Sequence, residues 1–268
     1  MPRRVRRHLF LPADCRLCAL HDAAICAPLG GGEIARMHGY KAGNRTVEQG
    51  DDIIRQGEPC SELYTLLDGW AMVYQDLANG RRQVLDFALP GALLGFRPNL
   101  EAPPVHSVQA LTDASMCVFP RARFLALVRE QPEVGLRLAW MTARDHFLAQ
   151  EHLTNLGRRN AAERIAYLLL EIYLRAARTW PAAGGSIAMP LTQEHLGDAL
   201  GLTAVHVNRT LGRLRRQGLL ELGGRTLVVR DAEALAALAG FEPEALHRQI
   251  GDDALARGHL GQVARQVV

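Results

Sequence analysis

Three of the chain's five cysteines fall within residues 15–26, in the stretch CRLCALHDAAIC. Thiols this close together can close disulfides, hold a zinc ion, carry an iron–sulfur cluster or cycle as a redox pair. The spacing Cys15-x2-Cys18-x7-Cys26 offers three soft sulfur donors from one short segment. A four-thiolate site then needs a donor from elsewhere in the chain. Spacing alone favours zinc, because four-cysteine zinc sites are built from such compact pairs.

A second concentration of chemistry is basic. Although the formal charge is only +3, the positive residues cluster in PRRVRR (2–7) and RTLGRLRRQ (209–217), and local density governs attraction to polyanions. The latter run lies in a segment that meets several requirements of a helix-turn-helix together. Thr192 is placed as an N-cap, Leu196 and Leu200 face inward, and Gly197 is small where two helices cross. Gly201 suits a tight turn of positive φ, Thr203 caps the second helix, and Val207 with Leu211 bury it. Thr203, Val205, His206, Asn208 and Arg209 then lie where base edges are read. Arg209 is suited to guanine and Asn208 to adenine. Arg213, Arg215 and Arg216 lie farther along, where phosphates are neutralised. LLELGGRTLVVR (219–230) reads as a hairpin wing with Arg225 at its tip. Such a helix pair is suited to double-stranded DNA, and two recognition helices about 34 Å apart would set the half-site spacing.

These sites need elements to hold them. At 268 residues, 48% apolar and 22% charged, the chain can bury a sizeable core. From about Val47 to Pro120, short β-rich runs alternate with turn residues such as Asn79-Gly80 and Pro90-Gly91, the pattern of an antiparallel β-roll. Pro132 can open a long helix running to about Leu156. In it Leu136, Trp140, Ala143, Phe147, Gln150 and Thr154 recur at three- or four-residue steps. Roughly 25 helical residues span nearly 40 Å, more than one face of a small β domain, so part of the stripe is expected to form a homodimer seam.

The expected fold class is α+β, in five parts: a cysteine-rich segment (1–30), a β-roll (31–130), a dimerisation helix (131–158), a winged helix-turn-helix (159–235) and a helical tail (236–268).

The basic start is followed only by HLFLPAD before Cys15, too short for the apolar core of a secretory signal, and no run of about 18 apolar residues occurs. A cytoplasmic protein away from membranes is expected, where an odd number of cysteines argues against a disulfide framework. No G-x-S-x-G, Walker A, H-E-x-x-H or G-x-G-x-x-G constellation is found, and Gly30-Gly31-Gly32 lacks a following lysine. A thiol oxidoreductase would need Cys15-x2-Cys18 at a helix start in a βαβ unit, which the pattern does not provide, so no enzyme is expected. Histidines 8, 21, 38 and 106 are read as structural and Cys60 as a free thiol.

The order β-roll, long helix, winged helix resembles the CRP/FNR superfamily of bacterial transcription regulators, over about residues 12 to 240. NGRRQVLDFALPG (79–91), LLGF (93–96), QALTDASMCVFP (109–120), NAAERIA (160–166) and LTQEHLGDALGLT (191–203) running on through Arg209 carry the likeness. The stretch PGALLGFRPNLEAPPVHSVQA (90–110) lacks the Glu and Arg-Ser/Thr pair of the cyclic-nucleotide-binding members. The cysteine spacing is similar instead to FNR-type oxygen sensors of the alphaproteobacterial branch, with Cys117-Val-Phe-Pro at the place of their fourth ligand. The resemblance thus implies a [4Fe-4S] cluster on Cys15, Cys18, Cys26 and Cys117, reporting oxygen, nitric oxide or redox state. It also implies a homodimer on operator DNA and contact with RNA polymerase. Val205 and Asn208 stand where the FNR pattern has Glu and Ser, so the operator is expected to differ from that family's usual one.

Overall fold

The computed structural model describes residues 11–12, 14–27, 29–99, 101–179 and 185–240. The basic run at 2–7 and all of the expected tail beyond 240 lie outside them. The chain divides into two compact units, Met1–Trp140 and Met141–Val268.

The first unit begins with two 3-10 turns, Cys15–Leu17 and His21–Ala23, and a helix the β-rich reading missed, α1 (Gly31–Tyr40). Eight strands follow: β1 (Gly43–Val47), β2 (Asp52–Ile54), β3 (Glu62–Asp68), β4 (Ala71–Asp76), β5 (Arg82–Ala88), β6 (Leu93–Leu94), β7 (Ser107–Ala110) and β8 (Ala114–Pro120). They form two antiparallel four-stranded sheets, ordered β1-β8-β3-β6 and β2-β7-β4-β5. Val47, Ile54, Tyr64, Leu66, Ala88, Leu94, Val108, Met116 and Val118 belong to one buried cluster that fills the space between them. Because strand side chains alternate, Met116 and Val118 of β8 enter that cluster while Cys117 and Phe119 face the other way. Phe119 there meets Phe124 of α2 (Arg121–Glu130), ring centroids 6.2 Å apart.

A single helix, α3 (Pro132–Arg158), follows. Val134, Met141, Leu148 and Asn155, one per seven residues, are its buried positions. Of the expected seam, Leu136 is 66% exposed, Ala143 and Gln150 are exposed, and Trp140 and Phe147 are half-buried. Leu153 is exposed as well.

The second unit is built around α4 (Ala161–Thr179), most of whose residues are buried. The fully buried Glu171 lies on it, 2.7 Å from Arg175 and 2.8 Å from His152 of α3; a buried carboxylate persists only when so paired. Next come β9 (Ser186–Ala188), α5 (Gln193–Leu200), α6 (Ala204–Arg216), β10 (Leu220–Gly223), β11 (Thr226–Val229) and α7 (Ala232–Ala239). The wing is therefore three-stranded, β10-β11-β9, with β9 supplied from before the helix pair. Among the described residues no helix is long and apolar enough to cross a membrane.

Gly197 is required less by helix crossing than by the turn: a Cβ there would stand 2.6 Å from the Leu202 carbonyl oxygen. Gly197→Ala should therefore destabilise the second unit by about 1–3 kcal/mol, read as a lower denaturant midpoint. Gly212→Ala, where the nearest atom would be the mobile end of Arg216 at 3.6 Å, should instead stabilise by up to about 1 kcal/mol through helix propensity.

Candidate metal centre and nucleic-acid interface

Cys117 is the rigid member of the thiol group. It sits mid-strand on β8, in register with Asn44 of β1 on one side and Thr65 of β3 on the other, and is 8% exposed. Asn44 joins it to the N-terminal segment: its Nδ2 donates to the Pro12 carbonyl at 3.2 Å, and its Oδ1 lies 3.8 Å from Cys117 Sγ.

The segment bearing the other three thiols is folded by local rules and then docked. Asp14 caps the first turn, accepting from the Arg16 N–H at 2.8 Å and from its guanidinium at 2.9 Å. That pairing holds the Asp14 carboxyl at about 2. The Cys15 Sγ lies 3.9 Å from His38 Nδ1 on α1. His21 is engaged at both ring nitrogens, by Asp22 at 2.8 Å and the Leu29 carbonyl at 3.0 Å, as a structural histidine would be. Ala24 and Ile25 are buried, at 2% and 1% exposure, which draws Cys26 inward behind them. At Gly91, where φ is +95°, a Cβ would stand 2.8 Å from the Ala23 carbonyl oxygen. On the other side Arg137 of α3 donates to the carbonyls of Ala24 at 3.3 Å and Ala23 at 3.4 Å while lying 4.5 Å over the Trp140 ring.

The four thiols are gathered but not converged. All are free, and among the described residues no three metal-ligating side chains stand at ligand distance from one centre. They are nonetheless near enough for their charges to be felt. Burial first, then repulsion from Cys18, Cys15 and Cys117, pushes the Cys26 thiol up to about 12. Burial likewise lifts Cys117 to about 11, with Cys15 and Cys18 adding to the rise and Lys41 opposing it. Burial also raises Cys15, again against Lys41. Such a donor set fits a soft, positively charged centre, which replaces the protons and relieves the repulsion at once. Cys60 lies apart, its Sγ 3.3 Å from the Glu62 carbonyl.

The helix pair is as the residue types demanded. Thr192 and Thr203 accept from the N–H groups of His195 and His206 at 3.1 and 3.2 Å, and Gly201 is left-handed at φ 64°. Val207, Thr210, Leu211 and Leu214 are buried. Thr203, Val205, His206, Asn208, Arg209, Arg213, Arg216 and Arg225 are all exposed. Val205, Arg209, Arg213 and Arg216 follow steps of four, four and three, which set them on one helix face. Two details lay beyond sequence. Gln193 Nε2 donates to Asn208 Oδ1 at 3.2 Å, and Arg215 is turned to the wing, donating to the Leu222 carbonyl at 3.0 Å. Arg215 thus braces the wing and differs from its expected place among the phosphate-facing arginines.

Comparisons with known proteins place these features. Residues 44–131 match the cyclic nucleotide-binding domain family and residues 163–238 the Crp-like helix-turn-helix domain family. The chain is 34% identical over 234 residues to the transcriptional activator protein FnrL of Cereibacter sphaeroides, spanning 86% of this chain and 93% of that one. It is 31% identical over 227 residues to the nitrogen fixation regulation protein FixK of Bradyrhizobium diazoefficiens, spanning 83% and 94%. The structure of FixK2 from Bradyrhizobium japonicum matches with a TM-score of 0.66 at 31% identity, covering 73% of this chain and 96% of that one.

The raised thiols are testable directly. In metal-free protein at a pH of about 8.5, where an ordinary thiol is half ionised, Cys26 and Cys117 should alkylate at least about tenfold more slowly than in the denatured chain. Mass spectrometry after timed iodoacetamide treatment measures this, and the rates should climb as pH approaches 11 to 12.

Proposed function

The chain belongs to the CRP/FNR family of DNA-binding transcription regulators, and we propose that it senses oxygen, nitric oxide or redox state through a [4Fe-4S] cluster on Cys15, Cys18, Cys26 and Cys117. The observation that carries this reading is the gathering of three N-terminal thiols beside the strand-held Cys117, close enough that Cys15 and Cys18 both add to the rise of the Cys26 and Cys117 thiols. When bound, such a cluster supplies an oxygen-labile, redox-active centre. Thiolate ligation by all four residues exists in only one arrangement of residues 15–26, so it contributes free energy to that arrangement and to whatever the segment touches.

What the segment touches is α3. Arg137 holds the Ala23 and Ala24 carbonyls, so the ordering of the cysteine segment bears on the helix whose outward face presents Leu136, Trp140, Ala143, Phe147 and Gln150. We assign that face to the homodimer seam, and the dimer to setting two recognition helices on a pseudo-palindromic operator. A cyclic nucleotide is the weaker effector. The roll interior is filled by the apolar cluster, and Arg97 is turned onto the carbonyls of Cys60, Gly95 and Ala102.

On the operator, Arg209 is assigned to a guanine edge and Asn208, steadied by Gln193, to a neighbouring base, with Thr203, Val205 and His206 beside them. Arg213, Arg216 and the wing-tip Arg225 are assigned to phosphates. Arg225 adopts φ 63° between Gly224 and Thr226, projecting from a tight turn.

Protein purified without oxygen should carry about four irons and four acid-labile sulfides per chain, with visible absorption that bleaches in air; Cys117→Ser should abolish both. Stoichiometric zinc in a colourless, air-stable protein would instead establish a structural clasp. Arg137→Ala should keep its iron and lose most of the difference in operator affinity between loaded and metal-free protein, measured by fluorescence anisotropy.

The same assay sorts the arginines. Arg209→Ala should weaken the preferred operator by about 1–3 kcal/mol and relax preference at one base pair. Arg213→Ala and Arg216→Ala should weaken all sequences alike and each lower the salt slope by about one.

A further inference from the structure

Lys41 and Glu171 are the formally charged residues buried below a tenth exposure among the described residues, Lys41 at 7% and Glu171 at 0%. Glu171 has Arg175 and His152 within ion-pair distance. Lys41 has no carboxylate at that distance among the described residues. A buried ammonium without an anion is expensive, so its surroundings show what it is there to meet. Lys41 follows α1 directly, its own N–H bonded to the His38 carbonyl at 3.3 Å. The next residue, Ala42, donates to the Val118 carbonyl at 2.8 Å. That bond sets the lysine's backbone beside β8 just past Val118, the residue that follows Cys117. The groups that feel its charge are the thiols of Cys15 and Cys117, both of which it makes more acidic.

We infer that Lys41 is the counter-cation of the four-cysteine site, its buried ammonium offsetting the negative charge that arrives when the thiols become metal-bound thiolates. The inference rests on the reading that the four cysteines ligate one centre together. Four thiolates around either a zinc ion or a doubly charged [4Fe-4S] core leave a net charge of roughly −2. A fixed positive charge at this depth, little screened by water, favours that state over four neutral thiols. Lys41 touches no substrate and is a positioning charge: it favours loading and opposes the metal-free form, in which it lies buried with no carboxylate at ion-pair distance among the described residues.

The sign of that effect separates an electrostatic role from a merely structural one. Full-length wild type, Lys41→Met, Lys41→Arg and Cys117→Ser would be prepared metal-free under nitrogen and titrated with cobalt(II), followed by the thiolate-to-cobalt absorption. Lys41→Met should bind cobalt at least about tenfold more weakly than wild type, in the range seen when groups supporting metal ligands are lost, while Lys41→Arg stays within about threefold. The metal-free Lys41→Met protein should melt at the same temperature as wild type or higher, since an unpaired buried charge has been removed. Equal cobalt affinity in wild type and Lys41→Met, or a lower melting temperature in the metal-free variant, would overturn the role of Lys41 while leaving the four-cysteine reading intact. A wild type that binds no better than Cys117→Ser would overturn that reading and the inference built on it.

Discussion

The pairing of β8 with β1 on one side and β3 on the other is the constraint on which the candidate site depends. It fixes one thiol, Cys117, in the middle of a sheet, and it fixes Asn44 opposite that thiol, where the asparagine amide reaches the Pro12 carbonyl. A short segment with three cysteines has no preferred partner of its own. Beside a strand that cannot move, and with Ala24 and Ile25 buried, it acquires one. Strand alternation then decides the rest: Met116 and Val118 fill the roll, and Cys117 is left on the opposite face.

Burial acts on the two chemistries of this site in opposite senses. Removing water favours neutral thiols, which is why Cys26 and Cys117 resist ionisation. Removing water also strengthens every remaining charge interaction, so a centre that displaces the protons meets both concentrated sulfur donors and the Lys41 ammonium. The metal-free arrangement is thus held together by packing while carrying a buried lysine that has no carboxylate at ion-pair distance among the described residues. An imbalance of this kind is what a bound centre can act on, because a ligand shifts an equilibrium only by what it contributes differently to the two states.

The DNA-reading end follows a different logic, in which backbone geometry dominates. The Gly197 position leaves room for the Leu202 carbonyl, and Gly201 supplies the left-handed residue of the turn. Together they set α6 so that its apolar side is buried and Val205, Arg209, Arg213 and Arg216 share the outer face. Gln193 and Arg215 are then committed inside the protein, to Asn208 and to the wing, which steadies the reading surface.

Much of this was legible in the sequence, and the division follows the range of the forces. Thr192, Gly201, Thr203 and the apolar steps through Leu211 obey rules that act within a few residues, so the helix pair, its caps and its wing could be read off directly. The alternation of short apolar runs likewise announced the roll, and the residue types of CRLCALHDAAIC announced sulfur chemistry. Helix α1, the strand β9 completing the wing, the pairing of Glu171 with His152, the hold of Arg137 on Ala23 and Ala24, and the burial of Lys41 against Cys15 and Cys117 were not legible. Each depends on residues far apart in the chain meeting in the folded state, and Lys41 in composition is indistinguishable from any solvated lysine. The sequence by itself determined which chemistries were present and how the local elements form; only the tertiary structure decided which groups lost their water together, and that shared desolvation is the physical ground for proposing that a cysteine motif and a lysine act as one site.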